Sequence, residues 1–226
     1  MGIISLNQAS RLYWLGRYTE RVYTGLREVK NIYDASVDGH EADFVTYCRR
    51  LGIPCDYKNT ADFCRRYYFD TANPNALAAS LVYAYDNAIV LRQTLSTDTL
   101  SYILMAMSAM EKASRSSTPG VELQWVMDDI MAFRGSCEET IFDEETRSLI
   151  KLGASVERVD LYLRLNEDPA LTRREFERLF NRLYKTQLTP NKQRLDFLVD
   201  ALLDSTKPDC TSYELIEALE SLFLDL

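Results

Sequence analysis

One helical sequence occurs twice in this chain, and this repetition constrains the fold more than any other feature. The first copy, from Leu12 to Tyr33, spaces its apolar or neutral residues at alternating steps of three and four, which marks one face of an α-helix. These residues are Leu12, Leu15, Thr19, Val22, Leu26, Val29 and Tyr33. The same register returns 137 positions later, from 12 to 149, at Leu149, Leu152, Val156, Val159 and Leu163. The sequence therefore predicts an internal repeat of a central helix.

The polar residues of the two copies also correspond. In each copy a glycine precedes a Glu-Arg pair, and a second arginine follows the pair. The first copy has Gly16, Glu20, Arg21 and Arg27, and the second has Gly153, Glu157, Arg158 and Arg164. Glycine inside a helix costs about 1 kcal/mol relative to alanine, so its repetition predicts that a backbone or a ligand comes close there. We therefore expect the helices Leu12–Tyr33 and Leu149–Leu165 to pack near Gly16 and Gly153.

The charged residues of the two copies allow more than one interpretation. Arg21 and Arg158 leave the opposite flank of the apolar seam, where each can reach a carboxylate on a neighbouring helix as a structural ion pair. The other charges, with Arg92 of a later helix, can line a cleft that binds an anionic group. These candidate ligand-binding residues are Glu20, Arg27, Arg92, Glu157 and Arg164. Alternatively, Glu20 or Glu157 is the general base of an enzyme, although a carboxylate among guanidinium groups is held ionised and is a weak base.

Composition limits the class of protein. A chain of 226 residues can bury a core without disulfides, and no run of residues is apolar enough to cross a bilayer. The five cysteines form no C-x-x-C pair, which predicts reduced thiols rather than bridges or a zinc site. A net charge of −8 argues against a nucleic-acid partner. The first residues lack the features of a secretory signal, so we expect a cytoplasmic protein without a membrane partner.

Helical periodicity continues through the rest of the chain, and nothing indicates strands. Helices are predicted at 44–51, from Asn73-Pro74 to about 95, at about 98–115, 121–133, 143–165, 172–185, 191–204 and 212–224. The segment Arg134-Gly135-Ser136 is predicted to break the helix that precedes it. The expected fold is therefore an all-α helical bundle, a single domain over 1–226, with a first repeat at about 1–115 and a shortened second repeat at about 120–226.

Residues typical of cofactor chemistry are few. None of the eight glycines belongs to a phosphate-binding loop motif. His40, the only histidine, falls in a predicted turn with no nucleophile or carboxylate cluster beside it. We therefore expect no metal site and no cofactor in this chain.

Several separated motifs occur in a fixed order along the chain. They are Ser10–Arg21 (SRLYWLGRYTER), Phe69-Asp70 with Asn73-Pro74, Asp86-Asn87-Ala88 with Arg92, Phe133-Arg134-Gly135, and Gly153 with Glu157-Arg158 and Asp160. In these motifs the chain resembles the Alpha-E family, bacterial proteins with a helical domain and a Glu-Arg (ER) motif. The resemblance implies an accessory role beside ATP-grasp-type amide ligases, and sometimes transglutaminase-like proteins, in making or modifying peptides. ATP and Mg²⁺ would then belong to the partner ligase.

The resemblance and the charge pattern together favour one function and leave two alternatives. The favoured function is an accessory or substrate-presenting subunit of an ATP-grasp-type ligase, which binds an anionic peptide or a phosphate group in its Arg/Glu cluster. The alternatives are an enzyme of peptide modification with Glu20 or Glu157 as general base, and an interaction scaffold without a ligand. Because Ala154 and Ser155 replace Arg17 and Tyr18 in the second copy, the two copies are not chemically equivalent.

Overall fold

The computed structural model describes residues 4–37, 43–204 and 210–223. Within these ranges the chain forms ten α-helices and no strand, which confirms the all-α prediction. The helices are α1 (Leu6–Val37), α2 (Phe44–Leu51), α3 (Thr60–Phe69), α4 (Leu77–Val90), α5 (Thr97–Arg115), α6 (Gly120–Thr140), α7 (Glu144–Leu165), α8 (Pro169–Leu183), α9 (Lys192–Leu202) and α10 (Ser212–Glu220). The predicted turn that contains His40 lies outside the described residues.

The chain divides into two compact units. The first, which we call the α7 unit, joins Met1–Arg17 to Asp143–Leu226, and the second, the α4–α6 unit, comprises Tyr18–Phe142. Helix α1 contributes residues to both units. This division does not test the predicted single domain or the repeat boundaries near 115 and 120, which stay predictions.

The core of the α7 unit surrounds α7. The predicted seam of α7 is buried against α8, α9 and α10, whose contributions include Phe176, Leu198 and Leu219. Each fully buried Leu or Phe side chain stabilises the fold by roughly 1.5–3 kcal/mol. Asp143 caps the helix by accepting a hydrogen bond from the Thr146 backbone N–H at 2.8 Å. The burial places α7 at the centre of the unit, and the Asp143 cap sets where the helix begins.

The core of the α4–α6 unit is also built from helical seams. Buried residues along α4, α5 and α6 include Leu81, Ile103 and Phe133. Helices α2 and α3 add an aromatic group, in which the Phe63 ring stacks on Tyr67 at 5.2 Å between centroids. Helix α2 ends at Leu51, as the sequence predicted, and the Gly52 that caps it has a φ of 69°, a left-handed conformation that favours glycine.

Helix α4 begins later than the sequence predicted. Its first residue is Leu77 rather than Pro74. The Asn73 side chain accepts a hydrogen bond from the Asn75 backbone N–H at 3.0 Å, and the Asn73 carbonyl accepts one from Ala76 at 2.9 Å. Asn73-Pro74 therefore forms a turn before the helix, because the asparagine side chain binds its own local backbone.

Helix α6 continues through the predicted break at Arg134-Gly135-Ser136. A single helical glycine costs only about 1 kcal/mol, which tertiary contacts can offset. Ser136 supplies one such contact, because its hydroxyl lies 2.7 Å from the Thr99 hydroxyl of α5. The predicted break was therefore wrong, and Arg134 projects from a regular helix.

Candidate functional site

The first part of α1 and helix α7 cross where the sequence placed the two glycines. A Cβ atom on Gly16 would lie 1.9 Å from the carbonyl oxygen of Ile150, and one on Gly153 would lie 1.9 Å from that of Tyr13. No side chain fits at such distances, so the two backbones are in direct contact. The predicted packing of these helices at Gly16 and Gly153 is confirmed. The two contacts are reciprocal, although the repeat itself stays a prediction.

One turn after Gly153, a buried ion pair joins α7 to α1. Nε of Arg17 donates to Oε2 of Glu157 at 2.7 Å, and the two residues are only 8% and 1% exposed. Burial alone would lower the pKa of Arg17, but the charge of Glu157 and the neighbouring Tyr13 and Asp160 raise that pKa above its usual range. The Arg17 guanidinium also lies 4.9 Å from the centre of the Trp14 ring. A permanent cation is therefore held against the buried Glu157 carboxylate.

A second buried carboxylate, that of Asp160, follows on α7. Its Oδ2 accepts a hydrogen bond from Nε of Arg164 at 2.9 Å, and Arg164 also binds Oε1 of Glu220 on α10 at 2.5 Å. Oδ1 of Asp160 is buried without a hydrogen-bond partner among the described residues. Burial, followed by the charge of Glu157, raises the pKa of Asp160, although Arg164 and Arg17 act in the opposite direction. The Asp160 carboxyl therefore keeps its proton to a higher pH than an exposed carboxyl does.

In the α4–α6 unit, Glu20 is also buried but has different partners. Nη2 of Arg134 donates to Oε2 of Glu20 at 2.7 Å, and the Thr24 hydroxyl donates to Oε1 at 2.8 Å. The Arg134 guanidinium lies 4.7 Å from the centre of the Tyr23 ring. Glu20 is 0% exposed, so the pair is enclosed on the carboxylate side. Both ER glutamates therefore bind an arginine that is not the arginine of their own motif.

Neither Arg17 nor Arg134 was predicted from the sequence to be a site residue. The available signals were indirect: Arg17 is replaced by Ala154 in the second copy, and Arg134 belongs to one of the motifs that carry the family resemblance. Each arginine meets a carboxylate more than a hundred positions away in the chain, a pairing that helical spacing alone does not reveal.

The arginines of the ER motifs, Arg21 and Arg158, were predicted to be structural. Nη1 of Arg158 lies 3.1 Å from Oε2 of Glu175, a buried carboxylate on α8 that also accepts a hydrogen bond from the Ser155 hydroxyl at 2.7 Å. The Arg21 guanidinium lies 5.8 Å from the centre of the Tyr18 ring. Arg158 thus has the interhelical contact that a structural ion pair needs, and the structural role of both arginines stays a prediction.

The five predicted ligand-binding residues differ in exposure. Arg27 is exposed, with Nε 3.3 Å from Oε1 of Glu28, and Arg92 is exposed in the turn after α4. Glu20 and Glu157 are buried, and Arg164 is bound to Asp160 and Glu220 as described above. Whether these residues share a cleft is not tested by their individual exposures. Ligand binding by these residues stays a prediction.

Two further features bear on the kind of site. Within 4–37, 43–204 and 210–223, no three His, Cys, Asp or Glu side chains converge as metal ligands. In the same ranges, no helix has both the length and the apolar character needed to cross a membrane.

Comparison with known proteins identifies a family. The model of Alpha-E, described as a predicted alpha-helical domain with a conserved ER motif, matches residues 7–208. No curated protein and no solved structure gives a significant match. The family model covers nearly the whole chain, and the helical fold agrees with its description. The chain therefore belongs to the Alpha-E family.

Proposed function

We propose that this chain is a non-catalytic helical subunit that presents an anionic peptide to an ATP-grasp-type amide ligase. The observation that carries the proposal is the burial and arginine pairing of the two glutamates of the ER motifs, Glu20 and Glu157. Each is at most 1% exposed and accepts a hydrogen bond from a guanidinium at 2.7 Å. A general base must reach its substrate and accept a proton, and a buried carboxylate bound to an arginine does neither well.

The same geometry explains what the ER motifs contribute instead. Arg17–Glu157 locks α1 to α7, and Arg134–Glu20 locks α1 to α6. Such buried pairs fix the position of helices, because removing one partner leaves an uncompensated charge. Fixed helix positions within each unit suit a subunit that holds a peptide for another enzyme.

The partner follows from the family resemblance rather than from the geometry. The resemblance to the Alpha-E family implies an accessory role beside ATP-grasp-type ligases, and in some systems beside transglutaminase-like proteins. In this proposal the ligase supplies ATP, Mg²⁺ and the bond-forming chemistry, and this chain supplies the peptide in a fixed position. The alternative of an enzyme with Glu20 or Glu157 as general base is disfavoured by the burial and pairing of both residues.

Reconstitution tests the proposal directly. The chain and an ATP-grasp-type amide ligase from the same organism are purified separately, and ADP release and peptide modification are measured with each alone and with both together. We expect no turnover by the chain alone and a saturable increase in peptide-dependent turnover when it is added to the ligase. Turnover by the chain alone, or a ligase that is equally active without it, would contradict the proposal.

A further inference from the structure

Helix α8 and the turn after it carry a row of cations on one flank. Arg174, Arg178 and Arg182 follow each other at intervals of four residues, and Lys185 comes three residues later. Residues at these intervals lie on the same side of an α-helix. Arg174 is exposed, and the side chains of Arg178 and Lys185 are 52% and 56% exposed. The row is therefore open to solvent along most of its length.

A second row of cations lies on α7, at Arg147, Lys151 and Arg158. Three contacts show that it adjoins the first. Nζ of Lys185 lies 2.7 Å from Oε1 of Glu144, at the start of α7. Nη1 of Arg182 donates to the carbonyl oxygen of Lys151 at 3.0 Å.

The third contact joins Arg158 to Glu175 at 3.1 Å. The order of the three contacts means that α7 and α8 run antiparallel with both rows along the same seam. We call this surface the α7–α8 cationic surface, made of Arg147, Lys151, Arg158, Arg174, Arg178, Arg182 and Lys185.

The charge of this surface is opposite to that of the chain. Carboxylates beside its seven cations include those of Asp143, Glu144, Glu145 and Glu175, while the chain as a whole has a net charge of −8. Glu175 is only 3% exposed and offsets the cations from below. At the other end, the hydrogen bond and charge of Lys185 hold the pKa of Glu144 below its usual range, and Arg147 and Lys151 add to this effect. The surface thus presents an outward excess of positive charge.

We infer that the α7–α8 cationic surface docks an extended acidic segment of a peptide. The inference deepens the proposed function, on which it rests, by giving the charge and conformation of the presented peptide. Guanidinium groups suit this ligand because they bind carboxylates through two parallel hydrogen bonds.

The spacing of the cations supports a peptide in particular. Cations four residues apart on α8 are separated by about 6 Å along the helix axis, at 1.5 Å per residue. Alternate side chains of an extended peptide lie on one side at intervals of about 6.6 Å. Acidic residues at every second position therefore meet successive cations, and the row from Arg174 to Lys185 accommodates about five peptide residues. A nucleic acid carries the same sign of charge and is the alternative ligand that the binding test below distinguishes.

The test uses the whole chain and a fluorescent probe peptide of about ten residues in which glutamate alternates with serine. Binding is followed by fluorescence anisotropy, and a peptide with glutamine in place of glutamate is the control ligand. We expect the acidic peptide to bind, the glutamine peptide not to bind, and the affinity to fall as salt rises from about 50 to about 300 mM.

A pair of variants assigns the binding to the surface. Arg174→Gln with Arg178→Gln removes two exposed cations, while Glu175 keeps Arg158 and Ser155 as partners, so the fold is retained. The control is Arg173→Gln on the opposite flank of α8, where Arg173 pairs with Glu177. We expect the double variant to weaken peptide binding by at least about tenfold, at an unchanged melting temperature, and the control to leave it unchanged.

Other outcomes overturn the inference. These are an acidic peptide that does not bind, equal weakening by Arg173→Gln, tighter binding of a single-stranded oligonucleotide through the same arginines, or self-association of the chain that the double variant abolishes. Failure here is distinct from failure of the proposed function. A chain that stimulates the ligase without binding the acidic peptide refutes only the inference, and one that binds the peptide without stimulating the ligase refutes only the proposed function.

Discussion

Replacing either crossing glycine by alanine should destabilise the chain, although alanine is the better helix former. At Gly16 the new Cβ would lie 1.9 Å from the Ile150 carbonyl oxygen, and ordinary van der Waals contact begins at 3.4 Å. The backbones of α1 and α7 would have to separate locally by about 1.5 Å, the difference between these two distances. The obstacle is backbone rather than a flexible side chain, so it cannot rotate away.

Two opposing effects set the magnitude. Alanine in place of glycine gains up to about 1 kcal/mol of helix propensity. Overpacking of a tight contact typically costs about 1–3 kcal/mol, and a backbone clash lies at the upper end of that range. We therefore expect Gly16→Ala and Gly153→Ala each to lower the free energy of unfolding by about 1–2 kcal/mol. The double variant should cost less than the sum, because the first substitution already separates the helices that the second would push apart.

Gly135 on α6 provides the matched control. A Cβ at Gly135 meets no described atom within 4 Å, so Gly135→Ala gains helix propensity without a clash. Urea unfolding followed by far-ultraviolet circular dichroism should show a lower midpoint for the two crossing variants and a midpoint for Gly135→Ala that is equal or higher. If Gly16→Ala and Gly153→Ala are as stable as Gly135→Ala, the close backbone crossing is wrong.

Three further predictions concern the charged residues. Arg17→Met should cost about 3–5 kcal/mol because the buried Glu157 carboxylate loses the guanidinium it binds, and adding Glu157→Leu should recover part of that loss. A double variant no more stable than the single one in urea unfolding would contradict a buried pair. The pKa of Asp160 is raised in the folded chain. Between the ordinary carboxyl pKa and this raised pKa, the folded chain therefore binds a proton that the unfolded chain has released. The free energy of unfolding that Asp160 contributes thus falls as pH rises between these two pKa values. Asp160→Asn cannot ionise, so the difference in melting temperature between this variant and the original chain should shift in favour of Asp160→Asn between about pH 4 and pH 7, and a constant difference would count against the raised pKa. Arg27→Met and Arg92→Met, both at exposed sites, should leave the melting temperature unchanged, and peptide-dependent ligase stimulation then shows whether either residue binds a ligand.

The parts of the fold that the sequence predicted are those set by local rules. The spacing of Leu149, Leu152 and Val156 defines a buried helical face, and the capping box of Thr211 and Glu214 marks the start of α10. The glycine crossing was predictable for a related reason. A helix interior disfavours glycine, so two glycines at equivalent places indicate that a Cβ is excluded at both.

The parts that the sequence did not predict depend on contacts between distant residues. Gly135 and Ser136 look like a helix break locally, but the Ser136–Thr99 contact and the Arg134–Glu20 pair hold α6 as one helix. The exposure of the charged side chains was not predictable from the sequence either. Arg27 is two turns from Glu20 on the same helix, yet one residue is exposed and the other buried. Helical spacing gives the direction of a side chain, whereas burial depends on which other helix covers it.

The central claim, that the ER glutamates form a frame and perform no proton transfer, is tested most directly with Glu157→Gln. Glutamine keeps the hydrogen-bond acceptor for Arg17 and removes the charge and the basicity. Peptide modification by the reconstituted ligase is measured per folded molecule, at a temperature where circular dichroism shows the variant to be folded. We expect the folded variant to stimulate the ligase as the original chain does, with any loss of total activity following the loss of folded protein. A fully folded Glu157→Gln chain that no longer supports peptide modification would contradict the claim and indicate that Glu157 takes part in the reaction.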